Sequence, residues 1–230
     1  SAVYESDLQP SEDVGNSAAT RTLARLGARK PKTGKFPVIY DRRVASSLVG
    51  TLATAINGSN ISRGTSFLKD SLGKQIAKRG LNFVDDPLRP RGLGSRLFDG
   101  EGLAASRRIM VNDGVLTGWF LDLASAKKLG MKPTGNARRG IGSAPSPGAS
   151  NFYIENSTIN RDDLVADINE GFLITEMIGS SVDMITGDYS RGASGFWISK
   201  GTITQPITEA TIAGNLKDMF MQIIAANDID

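Results

Sequence analysis

The stretch Gly195-Phe196-Trp197-Ile198-Ser199-Lys200-Gly201-Thr202-Ile203-Thr204-Gln205-Pro206-Ile207 sets two β-favouring runs on either side of a short Gly-containing link. Such a pattern reads as an antiparallel hairpin, with strands at Gly195 to Ser199 and Thr202 to Ile207. Upstream, Phe172 to Ile178 and Val182 to Thr186 read as further strands, so an antiparallel ladder is expected over the last third of the chain. A short helix is expected over Asp162 to Glu170. Another, around Leu216 to Ala226, places Leu216, Met219, Phe220, Ile223 and Ile224 on one face. Strands joined by tight turns with a few flanking helices predict an α+β domain that is predominantly antiparallel sheet.

Toward the amino terminus the same signals recur. Asn112-Asp113-Gly114 between Arg107 to Val111 and Val115 to Phe120 predicts a second hairpin, with a short strand at Leu81 to Val84. Asp122 to Leu129 reads as a helix stopped by Gly130, and the Gly, Pro, Ser and Asn of residues 132–151 read as a long loop. A loop of that length in a domain is functional or disordered. Phe36 to Tyr40 reads as a strand, after which Asp41 can cap a helix carrying Val44, Leu48, Leu52 and Ile56 on one stripe, with Ala45, Val49 and Ala55 beside it. This helix is expected to be largely buried and to end at Asn57-Gly58. Ser11 to Arg25 has helix character, with Glu12 and Asp13 at its positive end and Val14, Ala18 and Leu26 on one face.

Composition excludes several chemistries. The 230 residues are 40% hydrophobic and 22% charged, an ordinary globular balance, and one domain over residues 1–230 is the expectation. The opening Ser1-Ala2 reads as the middle of a longer protein, with residues 1–10 as linker from an amino-terminal domain. No apolar run approaches the ~20 residues of a membrane span, and with no Cys a disulfide framework is excluded; the expected location is the cytoplasm. Without His as well, the chain cannot by itself build a Cys/His zinc site, a Ser-His-Asp triad or a Cys-His dyad. The net charge of +3 and the run Arg25, Arg29, Lys30, Lys32, Lys35 are mildly basic, but only Phe36 accompanies the run, Pro31 interrupts it and Pro37 follows. Nucleic acid is therefore not the expected partner.

Familiar motifs fail on inspection. Gly27 to Lys35 has Arg29 where a phosphate loop needs Gly, and Phe36 where Ser or Thr would hold Mg²⁺. Gly140-Ile141-Gly142 meets Pro145 where a dinucleotide fingerprint needs its third Gly, and Gly192-Ala193-Ser194-Gly195 misses the nucleophile-elbow spacing. Asp85, Asp86, Asp99 and Glu101 could form an acid/base pair, but carboxylates beside Pro and Gly are more often turn formers. Asp183 and Asp188 read the same way.

Four strings carry a resemblance: Gly187-Asp188-Tyr189-Ser190-Arg191-Gly192-Ala193-Ser194-Gly195-Phe196-Trp197-Ile198, Thr211-Ile212-Ala213-Gly214-Asn215-Leu216-Lys217-Asp218-Met219-Phe220, Arg63-Gly64-Thr65-Ser66-Phe67-Leu68 and Pro133-Thr134-Gly135-Asn136-Ala137-Arg138-Arg139. Together they resemble the carboxy-terminal domain of the PmbA/TldE proteins of the TldD/PmbA family, historically labelled modulators of DNA gyrase. The resemblance implies a cytoplasmic two-subunit complex in which a TldD-type subunit binds zinc through a helical His-Glu-x-x-x-His motif and a later Cys. On the family spacing those positions fall on Val49, Gly50 and Thr54, and the Cys on Ala193, so no metal and no cofactor are expected. Val49 beside Leu48 and Leu52 suggests that the former active-site helix has become core.

Three functions follow as expectations. The first is a non-catalytic subunit of a TldD/TldE-type metalloprotease that processes or degrades peptides and unfolded proteins, giving subunit contacts and one wall of a peptide cleft. The second is a metallopeptidase in its own right, and the third a gyrase modulator. Arg138, Arg139, Asp188 and Arg191 are the candidate partner or peptide contacts, by pairing with carbonyls or carboxylates of an extended peptide; satisfied surface salt bridges are the alternative. The expected partners are a TldD-type subunit, a peptide and a second copy of the chain. Tyr189, Phe196, Trp197 and Phe220 are candidates for the centre of a subunit interface, with core packing as the other assignment for each.

Overall fold

A computed structural model describes residues 2–228. A short 3-10 turn precedes α1 (Ser11–Leu23), followed by β1 (Val38–Tyr40), α2 (Arg42–Ala55), α3 (Gly58–Arg63), β2 (Phe83–Asp85), β3 (Arg108–Asn112), β4 (Val115–Leu116) and α4 (Leu123–Leu129). Then come β5 (Ala137–Arg138), β6 (Ser146–Pro147), β7 (Phe152–Ile154), α5 (Arg161–Ala166), β8 (Glu170–Val182), β9 (Asp188–Ser199), β10 (Thr202–Asn215) and α6 (Leu216–Gln222). The strands form a sheet of order β1-β8-β9-β10, a second of order β4-β3-β2-β7, and the two-stranded ribbon β5-β6. All pairings are antiparallel except β1 with β8, which makes the fold α+β as the sequence predicts.

The long hairpin of β9 and β10 turns at Lys200 and Gly201, with φ of 49° and 73°, the paired left-handed geometry that matches strand twist. Gly195 faces Ile174 on β8 and Ile207 on β10, and a Cβ built on it would lie 1.9 Å from the Leu173 carbonyl oxygen. Pro206 is tolerated because β10 is the end strand. That outer edge is partly covered: Arg29 donates its N–H to the Pro206 carbonyl at 3.1 Å and accepts from the Thr208 N–H at 3.0 Å.

The strand alternation sorts the core. Phe172, Ile174, Trp197 and Ile207 are buried together on one side of the large sheet, with Val44 of α2 against them, while Leu173 and Ile198 point to the other side, toward Val165 of α5. A larger core joins Leu48, Leu52 and Ile56 to Phe83, Val111, Trp119, Phe120, Tyr189, Leu216 and Phe220. Asp41 caps α2 by accepting from the Arg43 N–H, and Asn57, Asp122, Asn160 and Asn215 cap α3, α4, α5 and α6 in the same manner.

Several expectations are corrected. Residues 183–187 form a turn rather than a strand, because Asp183 Oδ1 accepts the N–H groups of Ile185 and Thr186. Only Val182 of the strand expected there is extended, as the last residue of a longer β8, and β9 and β10 also run well beyond the apolar stretches that signalled them. The expected helices at 162–170 and 216–226 stop at Ala166 and Gln222. The 132–151 loop contains the small ribbon, and a new helix, α3, starts where α2 was expected to end. Val44 is only half-buried, and α1 buries none of its residues, leaving Val14 and Leu23 at 52% and 65% exposure.

Candidate functional site

An α-helix advances 100° per residue, so Leu48, Leu52 and Ala55 share one side of α2 while Arg42, Ser46, Val49, Gly50 and Ala53 share the other. The second side borders a cleft of about 950 Å³. Its opposite boundary is β7 with Phe152, Tyr153 and Ile154, and it is closed near the end of α2 by Arg138 and the strip Ser146, Pro147, Gly148, Ala149 and Ser150. Asn57 ties the two sides together by donating from Nδ2 to the Pro147 carbonyl at 2.7 Å. The strand β7 ends its sheet, and among the described residues it pairs only with β2, so its outer backbone edge has no ladder partner among them.

The helix predicted to have become core is therefore core on one side only. Val49 is half-buried, packed against the core yet lining the cleft, and Gly50 and Thr54 are exposed in it. Thr54 spends its hydroxyl on the Gly50 carbonyl at 3.0 Å. Val and Gly side chains offer no donor pair to a metal. The cleft lining also contains no His, Cys, Asp or Glu, so these residues do not fit a zinc ion. Ala193 is buried in β9 beside Trp197 and Ala210 and does not line the cleft. Among the described residues no group of three or more His, Cys, Asp or Glu is placed to hold a metal.

Of the four candidate contacts, only Arg138 lies in the cleft. Arg139 is exposed next to it in sequence, outside the lining. Asp188 sits where β9 begins and accepts from Asn215 Nδ2 at 3.0 Å and Thr186 Oγ1 at 2.9 Å; these two bonds, the first foremost, hold its carboxyl below the usual carboxylate range. Arg191 is half-buried, and its Nε has no hydrogen-bond partner among the described residues. It lies by Tyr40, whose phenol is held well above the ordinary tyrosine value by burial first and the Tyr189 hydroxyl second, with Arg191 pulling the other way. The four do not form one site.

Behind the cleft wall the carboxylates have structural work. Asp85, fully buried, accepts from Asn136 Nδ2 at 2.8 Å and from Ser150 N and Oγ at 2.6 and 2.9 Å. Asp99 accepts from the N–H groups of Glu101, Leu103 and Ala137. Asp86 accepts from the Leu88 N–H, a turn as expected. Arg96 stands beside these groups, its guanidinium lowered by burial while Asp85 and Asp99 oppose that shift. No acid/base pair opens into the cleft.

The profile of the PmbA/TldA metallopeptidase C-terminal domain matches residues 33–230. This chain belongs to that family. It is 45% identical over 226 residues to the protein named metalloprotease PmbA of Escherichia coli O157:H7, covering 98% of this chain and 48% of that relative. A metalloprotease PmbA homolog of Buchnera aphidicola is 37% identical over 97% of this chain and 48% of the relative. The chain thus spans about half the length of the curated relatives it matches. A crystal structure from Thermotoga maritima, described as a candidate modulator of a DNA gyrase, superposes with a TM-score of 0.90 at 29% identity, covering 99% of this chain and 52% of that one. TldE from Thermococcus kodakarensis gives 0.84 at 25% identity, covering 93% and 49%.

Sequence reasoning missed Arg42, Arg43 and Tyr153 as members of the cleft. The one usable signal was the length of the 132–151 loop, whose end supplies the wall.

Proposed function

We propose that this domain is the non-catalytic half of a TldD/TldE-type metalloprotease assembly, contributing subunit contacts and one wall of a peptide groove. The observation that carries the proposal is the cleft along α2: Val49, Gly50 and Thr54, the positions to which the family resemblance assigns the zinc-binding motif, line a groove. A zinc peptidase needs three protein ligands to polarise water, and this groove supplies none. What remains is suited to binding. The unpaired edge of β7 can add an extended peptide as a further strand, and Arg138 can meet its carbonyls or carboxylates.

The second reading, a metallopeptidase in its own right, is favoured by the names of the relatives. It requires the ligands to come from outside the described groove. Co-expression with a TldD-type subunit of the same genome, followed by sizing and peptide-cleavage assays on each chain alone and together, separates the two. A stable complex, with cleavage dependent on the TldD-type chain, supports the first reading; zinc-dependent cleavage by this chain alone overturns it.

A further inference from the structure

The groove has a charge pattern. Its lining holds Arg42, Arg43 and Arg138 and no Asp or Glu. Arg43 is held by Asp41 through Nε at 3.2 Å, whereas Arg138 makes no ion pair among the described residues. The nearest buried acids, Asp85 and Asp99, lie outside the lining behind the wall, bound by neutral donors and with the Arg96 cation beside them. Arg138 is also placed rather than loose. A Cβ built on Gly148 would lie 2.5 Å from Arg138 Cδ, so the stem of the arginine lies across that glycine, where any larger residue would displace it.

The cations stand at opposite ends. Arg42 and Arg43 begin α2, whereas Arg138 pairs with Ser146 next to Pro147, which Asn57 holds at the far end of the helix. Fourteen helical residues span ~21 Å. An extended peptide covers that length with about six residues.

We infer that the cleft takes an extended acidic peptide, with one carboxylate at Arg138 and a second about six residues away at the Arg42 and Arg43 end. The inference rests on the peptide-groove reading above and adds the charge class of the occupant. Charge complementarity sets selectivity and salt dependence here, while the β7 edge supplies sequence-independent bonds.

The test is fluorescence anisotropy of the purified chain with labelled peptides of one Ala/Ser background, carrying Glu, Gln or Lys at two positions six apart, and with a single-stranded oligonucleotide. The expected result is tightest binding of the Glu peptide, weakened by added salt and reduced about fivefold or more by Arg138→Glu. Lys128→Glu, an equal change of charge on exposed α4, should leave it unchanged. Equal binding of Glu and Gln peptides overturns the acidic preference and leaves the groove reading intact. Binding of no peptide by the folded chain overturns both. Preference for the oligonucleotide over the Glu peptide overturns the inference in favour of a nucleic-acid groove.

Discussion

Two residues show how closely backbone geometry and charge constrain this chain. Gly195 has no room for a side chain, because the obstacle is the backbone carbonyl of Leu173 at 1.9 Å and not a mobile side-chain end. Gly195→Ala is expected to force β8 from β9 and cost about 3 kcal/mol or more in urea unfolding; a loss under about 1 kcal/mol would show that the strands separate freely. Asp188 gives a pH signature. Its folded value is depressed by Asn215 and Thr186, so its contribution to stability is present above the ordinary carboxylate range and is lost as pH falls through the lowered value. The stability gap between the parent and Asp188→Asn should therefore exist at neutral pH and close as pH drops below about 4. A pH-independent gap would mean that the carboxylate charge plays no part. At this scale the sequence exposed what the site lacks better than what it contains. That residues 49, 50 and 54 carry no metal-ligating side chain was readable from residue type, and Arg138 from its motif, but membership of Arg42 and Tyr153 depends on which helix face meets which strand.

At the scale of elements, α2 joins core and groove. Leu52 is fully buried, and Leu52→Ala should cost about 2 to 5 kcal/mol, whereas Val14→Ala on exposed α1 should stay within about 0.5 kcal/mol, both measured by denaturant unfolding. Comparable losses at the two positions would contradict the burial assigned to α2. The elements with local signals were legible: the hairpin turn at Lys200-Gly201, the cap Asp41, and the stripe of Leu48, Leu52 and Ile56. What was not legible depended on distant partners. The strand β1 pairs in parallel with a segment 134 residues away (Val38 with Phe172), and polar Ser190 to Ser194 lengthens β9 because neighbours flank it on both sides, not because of propensity. The face of α2 away from the core was read as core because periodicity marks where apolar residues lie and not what the other side meets.

For the whole molecule, the two sheets and α2 leave a groove where a zinc-peptidase motif would be expected from the family resemblance, and the choice of interface narrows. Tyr189, Trp197 and Phe220 are buried within the chain, which removes them as centres of a subunit contact, and only the half-buried Phe196 remains of that set. The exposed apolar side chains of α1, Val14 and Leu23, lie far out of the core and fit a contact surface better than the aromatic set does. The central claim, that the α2 groove is a binding wall without metal chemistry, is tested most directly by elemental analysis of the purified chain after incubation with zinc and removal of loosely held ion. The account predicts far less than one zinc per chain. One tightly held zinc per chain, lost to a chelator together with peptide cleavage, would contradict it.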